Sequence, residues 1–448
     1  MGATHLKRQT MKWTELICDT RLGLENRKIE KIDHRSQFQR DHDRIIFSPT
    51  FRRLQNKTQV FPLPGSIFVH NRLTHSLEVS TVGRTLGAML SSELIKKEEL
   101  SWEKASEIGA IVGSACLAHD LGNPPFGHSG EHAISDFFKN HYGQKYKELF
   151  TTEQWNDFIQ FDGNANAFRL LSNQFIGRRE GGFALTYSTL ASIVKYPYES
   201  TYTNKQKFGF FQDQKETYIK IVNLLGIPKA NGKYVRHPLV YLVEAADDIC
   251  YQIMDIEDAF KIGILTYERV EEFLLPFHLK DKNISNINKT LTSIEDKNEK
   301  VSYLRSITIG KLTNECFDQF MAHYSNIMEG IHQTPLIKTI SQGSIQCLEK
   351  IHEVSTKEIY MHRDVVEIQI AGHKIITSLL DRFIRALETK DEPYAKNMLS
   401  LIPKQYDINN PDTYKQILAI VDYVSGMTDV YALELYRRME GISVPAFY

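Results

Sequence analysis

A mainly α fold follows from three observations on the sequence. Apolar residues recur at helical spacing over long stretches, as in Leu77, Val79, Val82, Leu86, Met89 and Leu90. Strand signals are few. Residues 58–70 alternate around a Pro-Leu-Pro-Gly turn and 198–211 are aromatic and Thr-rich, so each reads as a β-hairpin. From residue 301 onward the pattern is helical again, including 368–387 and 414–439, with no internal repeat or low-complexity tract.

Taken in order, residues 20–45 are highly charged and read as an exposed loop leading into a helix. Residues 45–54 enter a helix that carries Arg52 and Arg53. After the first hairpin, 74–95 is helical, with His75 in its first turn and Arg72 just before it. Residues 108–117 are almost wholly apolar and read as a buried helix, broken by Gly122, Pro124 and Pro125. Further helices are expected over 131–140, 163–172 and 186–195, the last closed by Tyr196-Pro197. A long helix spans 238–260. Residues 280–300 are polar and read as a poorly ordered connection or an exposed helix pair.

Composition excludes several classes. Among 448 residues, 54 Lys+Arg nearly balance 55 Asp+Glu, so no bulk charge advertises nucleic acid or membrane, and an anionic substrate must be met by a local cluster. Five scattered cysteines form no CxxC pair, which argues for a reducing compartment and against a zinc ribbon. The N-terminus lacks the apolar stretch of a signal peptide, and no apolar run approaches the roughly 20 residues that span a bilayer. The expectation is a soluble, cytoplasmic protein.

The candidate chemistry centres on LAHDLGNPPFGHSGE, residues 117–131. His119 and Asp120 close the buried helix, a tight turn follows, and His128 and Glu131 open the next helix. A carboxylate beside an imidazole suits a divalent cation of the Mg, Mn or Fe type, and the pair needs further ligands. The long helix carries Glu244, Asp247, Asp248, Tyr251, Asp255 and Asp258, with Asp247, Tyr251 and Asp255 at i, i+4, i+8 on one face. Acids on an otherwise apolar helix are costly to bury unless paired or bound to a metal. His75, His119, Asp120 and Asp247 form a set from three helices that leaves metal positions open for water and substrate.

The order H…HD…D is the signature of HD-domain metal phosphohydrolases. The segments FRRLQNKTQVFPL, NRLTHSLEV, ACLAHDLGNPPFGHSGE, FDGNANAFRLL, IVKYPY, YLVEAADDICYQIMDIEDA and DYVSGMTDVYALELY go further. Together they closely resemble the bacterial dGTP triphosphohydrolase (dNTPase) family, over nearly the whole chain. The resemblance implies an HD-domain helical bundle with a few short β-hairpins, with residues 1–275 as catalytic core and 276–448 as a C-terminal helical region packed on it.

It further implies that His75, His119, Asp120 and Asp247 hold one divalent ion, Mn²⁺ or Mg²⁺. His128 would be the general acid/base, oriented by Glu131. Arg72 and Lys195 would contact the triphosphate; Gln59, Tyr251 and Asp255 would hold the deoxyribose; Asn164 would lie near the site. The implied reaction is hydrolysis of dGTP or another dNTP to deoxynucleoside and inorganic triphosphate, by water attack at the α-phosphate. Implied partners are further copies of the chain, as in a hexamer, and single-stranded DNA, which the near-zero net charge neither supports nor excludes. Two alternatives stand beside this reading. One is a different HD-domain nucleotide phosphohydrolase. The other is a nucleotide- or nucleic-acid-binding module without turnover.

Overall fold

The computed structural model describes residues 10–26, 34–61, 69–202 and 206–442. Among these are 21 α-helices and a single sheet, the two-stranded antiparallel hairpin Lys229–Ala230 and Lys233–Tyr234. The elements that place the site are α1 (Gln37–Ile46), α2 (Arg72–Lys96), α3 (Ile108–Ala118), α4 (Gly127–Asn140), α5 (Gly163–Ser172), α6 (Tyr187–Ile193), α7 (Leu239–Lys261), α8 (Lys297–Ala322), α9 (Arg363–Glu388), α10 (Thr413–Ser425) and α11 (Asp429–Met439). Among the described residues no helix is long and apolar enough to cross a membrane.

Local chemistry sets the helix starts. Asn71 caps α2, accepting from Leu73 N and Thr74 N, while the Thr74 hydroxyl oxygen accepts from Asn71 N. His75 is thereby locked into the first turn. Helices α2 and α3 approach through glycines: a Cβ on Gly87 would stand 2.8 Å from Gly109 Cα. That close packing brings the N-terminal end of α2 beside the C-terminal end of α3, where His119 sits. Gly122 acts similarly in the turn after α3, since a Cβ there would lie 2.0 Å from Gly163 O.

The apolar residues form two clusters. The first joins α2, α3, α6, α7 and α8, with Leu86, Ile111, Leu190, Ala246 and Leu304 all fully buried. The second packs α4 against α9, α10 and α11, with Phe137, Phe138, Leu379, Phe383 and Val424 fully buried. Each cluster draws on residues from both sides of residue 275.

Several sequence expectations need correction. The charged stretch 20–45 is not simply an exposed loop: Arg21 and Asp41 are buried and paired at 2.7 Å, and Asp41 also accepts from Thr186. Residues 27–33 lie outside the described residues. Of the expected hairpin at 58–70, residues 62–68 lie outside the described residues, and the rest shows an antiparallel bridge between Thr58 and Asn71. The second expected hairpin, 198–211, contains a 3₁₀ turn at Ser200–Tyr202 and, apart from residues 203–205, which lie outside the described residues, no strand. The observed hairpin, turning at Asn231-Gly232 with both residues at positive φ, was not anticipated. The stretch 414–439 is two helices, because Gly426 ends one and the Thr428 side chain caps the next. Residues 280–300 do form an exposed helix pair, Ile284–Ser293 followed by the start of α8, anchored by buried Ile287 and Leu291.

Candidate active site

Three donor atoms converge where α2, α3 and α7 meet. His75 Nε2 lies 3.2 Å from Asp247 Oδ1, and His119 Nε2 lies 3.4 Å from the same oxygen. These three atoms all fall within 4.8 Å of one another, close enough that they could hold one metal ion. His119 Nδ1 donates to Cys116 O at 2.6 Å, which fixes the tautomer and leaves Nε2 as the lone-pair nitrogen. That nitrogen is buried and has no hydrogen-bond partner. An orphaned imidazole nitrogen facing a carboxylate and a second imidazole fits a divalent cation.

Two acids of the cluster, Asp247 and Asp120, are held toward the ionised form. Burial alone would raise Asp247, but His119 and His75 hold it well below the usual carboxylate range. Asp120 is likewise kept at about 2 against its burial by Arg72, His119 and His75. Burial would lower His119, yet Asp120 and Asp247 push it up to about 9. Asp120 Oδ1 stands 3.6 Å from His119 Nε2, beside the converging trio, while its Oδ2 accepts from Arg72 Nη1 at 2.6 Å.

Across the turn, His128 Nδ1 meets Glu131 Oε2 at 2.7 Å. The helix begins at Gly127, ahead of the 131–140 span expected for it, and both residues open it on one turn, as the sequence reads them. Glu131 is buried, and its second oxygen accepts from Gly163 N at 2.7 Å. Burial opposes its ionisation, but the His128 hydrogen bond and Lys207 outweigh that and hold it below the usual range. His128 itself is largely open, with 73 % of its side chain exposed, so it can reach a bound molecule.

Eleven of the twelve residues expected at the site line one cavity of about 320 Å³: Gln59, Arg72, His75, His119, Asp120, His128, Glu131, Asn164, Lys195, Asp247 and Tyr251. That volume suits a small-molecule ligand. The Gln59 Oε1 atom is buried without a partner. The twelfth, Asp255, does not line the cavity. It is buried one turn below Tyr251 and accepts the Tyr360 hydroxyl at 2.6 Å, and the Tyr360 ring stacks on Tyr251 with centroids 6.4 Å apart. A larger cavity of about 380 Å³ around Arg169 holds none of these residues, and its buried charge is already paired with Asp213 and Asp422.

Sequence reasoning missed several neighbours. Asn123 donates to Asp120 Oδ1, and Lys207 stands 4.0 Å from Glu131 and 3.5 Å from Asp162. Glu244 takes both Lys195 at 3.2 Å and Arg236 at 2.9 Å, so this member of the acidic stripe holds a cationic side chain at the cavity wall. Tyr196 and Asp248 also line the cavity, and Tyr360 directly follows the π-turn Ser355–Ile359. For Glu244 the signal was present in the stripe itself; for Tyr360 there was none.

The fold and the site together give a helical protein with a His/Asp cluster that could hold a metal ion and an adjacent His-Glu pair. A family profile described as the phosphohydrolase-associated domain matches residues 339–438. A protein of Synechocystis sp. named deoxyguanosinetriphosphate triphosphohydrolase-like protein is 38 % identical over 97 % of this chain and all of its own length. A relative with the same name from Pseudomonas aeruginosa is 37 % identical over 97 % of this chain and all of its own length. A deoxyguanosinetriphosphate triphosphohydrolase of Yersinia pseudotuberculosis is 28 % identical over 90 % of this chain and 93 % of its own length. The chain belongs to the deoxyguanosinetriphosphate triphosphohydrolase-like family.

Proposed function

We propose that this chain hydrolyses dGTP, and other dNTPs in its wake, to the deoxynucleoside and inorganic triphosphate, with one Mn²⁺ or Mg²⁺ at the site. The observation that carries the reading is the convergence of ligand trio, acid/base pair, two cations and a tyrosine ring on one cavity. The names of the relatives support the substrate class.

In this reading His75, His119 and Asp247 hold the ion, with Asp120 beside them. Bound there, a divalent ion supplies Lewis-acid polarisation of the α-phosphate and a lowered pKa for water. Arg72 and Lys195, fixed by Asp120 and Glu244, offset triphosphate charge that one ion leaves over. Glu131 engages His128 Nδ1, so Nε2 is the nitrogen left to serve the reacting oxygens. A bond forms from the water oxygen to the α-phosphorus, the bond from that phosphorus to the 5′-oxygen breaks, and the 5′-oxygen leaves with a proton. Gln59, with its unpartnered amide oxygen, accepts the sugar 3′-OH. Tyr251 presents a ring where a 2′-OH would stand, and Asp255 acts on this pocket by holding Tyr360 against Tyr251.

The test is to incubate the metal-loaded protein separately with each dNTP and with GTP and to separate the products by chromatography. Deoxyguanosine and intact triphosphate are expected from dGTP. Stepwise release of phosphate, or equal rates on dGTP and GTP, would return the protein to a general HD-domain phosphohydrolase.

A further inference from the structure

The segment DYVSGMTDVYALELY lies in the distant C-terminal region and lends no side chain to the cavity, yet its Asp429 reaches both turns that bear on the chemistry. Asp429 is buried at the first position of α11, where the Thr428 side chain caps the helix. Its Oδ2 accepts from Thr58 N at 2.8 Å and its Oδ1 from Phe126 N at 3.0 Å, across sequence separations of 371 and 303 residues. Thr58 immediately precedes Gln59, and Phe126 stands two residues before His128.

The turn before His128 needs holding. Phe126 has φ of 62° and Gly127 φ of 58°, two successive left-handed residues, the first of a type that rarely adopts that conformation. From the other side, the Phe126 ring packs on Gly372 of α9 so closely that a Cβ there would lie 2.5 Å from its Cγ. Beside Asp429, the buried Lys57 Nζ donates to Asn123 O at 2.5 Å and Ser425 O at 3.1 Å, joining the same three segments a second time. A buried carboxylate whose two oxygens both serve backbone N–H groups of distant segments sets the distance between those segments.

We propose that Asp429 is a positioning residue for the reaction: it clamps the Gln59 turn and the His128 turn at a fixed separation, so that the group that orients the sugar and the group that handles the proton address one bound nucleotide. This rests on the reading under Proposed function. Misplacement of a reacting group by about 1 Å costs on the order of 10² in rate, so loosening the clamp acts on turnover without removing any group from the cavity.

Asp429→Asn tests it, because a carboxamide keeps the shape but leaves an NH₂ facing one backbone N–H. Turnover of dGTP is measured for the unmutated protein, Asp429→Asn, His128→Ala and the double variant, and amide exchange over residues 57–61 and 121–130 is followed by mass spectrometry. Asp429→Asn should lower kcat about 10- to 100-fold, and the two segments should exchange faster. In the His128→Ala background the kcat loss should vanish, because the group being aimed is gone, while a rise in KM through Gln59 should persist. An undiminished kcat, an equal loss in both backgrounds, or unchanged exchange at both segments overturns the clamp. Should Asp429→Asn not fold, Gly372→Ala displaces Phe126 from the opposite side and should give the same His128-dependent loss; an unchanged kcat there overturns the proposal equally. If the unmutated protein fails to turn over dGTP, the proposed function falls, and the exchange measurement still decides whether Asp429 holds the two turns.

Discussion

Replacing Glu131 by Gln takes one acceptor from a side chain that uses two. Oε1 accepts from Gly163 N and Oε2 from His128 Nδ1, each at 2.7 Å and on opposite sides of the carboxylate. A carboxamide has one oxygen, so one of these contacts becomes donor against donor. If the oxygen stays with Gly163, the amide NH₂ faces His128, and the imidazole must move its proton to Nε2, the nitrogen proposed to serve the reacting oxygens. Losing one charge-assisted hydrogen bond is worth about 1.5–3 kcal/mol, or roughly 10- to 150-fold. Trapping a catalytic imidazole in the wrong tautomer costs on the order of 10⁴. Glu131→Gln should therefore lower kcat for dGTP by a factor between those bounds while leaving KM and metal content near those of the unmutated protein. Steady-state kinetics with metal analysis reads all three. An unchanged kcat, or a change confined to KM, would refute the role given to the pair, because Glu131 would then be only a brace between α4 and α5.

Asp247→Ala or His119→Ala should strip the ion and abolish hydrolysis, checked by metal analysis after dialysis; full activity with a bound metal in either variant would remove that residue from the site. The unmutated protein should prefer dGTP to GTP by about ten- to a hundred-fold, from roughly 1–3 kcal/mol for a 2′-OH that loses water against the Tyr251 ring, and Tyr251→Ala should narrow that ratio. Stability should decline at alkaline pH through His70. Burial alone would lower this imidazole, but Asp258 and Glu78, at 2.8 and 3.1 Å, raise it to about 10. The unfolded residue holds its proton only below about pH 6.5. The contribution is thus complete below that pH and is lost as pH rises through about 10. Thermal melts across this window should show the decline, and His70→Ala should flatten it.

The site was more legible than the hairpins. His119, Asp120, His128 and Glu131 are neighbours in sequence, and a helix, a Pro-Pro turn and a second helix leave few ways to arrange them. Asp247 and Tyr251 followed from helical periodicity, which also put Asp255 on the same face; the structure places it one turn too deep to reach the cavity, against Tyr360. The other acids on α7 found their partners only in the fold, where Glu244 holds Lys195, Asp255 takes Tyr360 and Asp258 takes His70. Within 20–45 the expected helix forms at Gln37–Ile46, but the segment before it is not wholly exposed, for a related reason. Charge density marks a solvated segment only while the charges lack partners, and Arg21 and Asp41 find each other once α1 folds back.

By itself, then, the sequence determined what depends on short range and on periodicity. That comprises the helical class, the helix expected over 74–95, the buried helix expected over 108–117 with the Gly and Pro break after it, and the residue types of the candidate ligands. Tertiary structure alone decided what depends on distance through space. The Thr58, Phe126 and Asp429 backbone contacts, the Tyr251–Tyr360 stack and the fit of Glu244 to Lys195 join residues from 49 to 371 positions apart. The reason is physical: a helix start is settled by hydrogen bonds among the next three residues, while a buried carboxylate takes whichever donors the packing of glycine-faced helices brings within reach, and no local pattern records that choice.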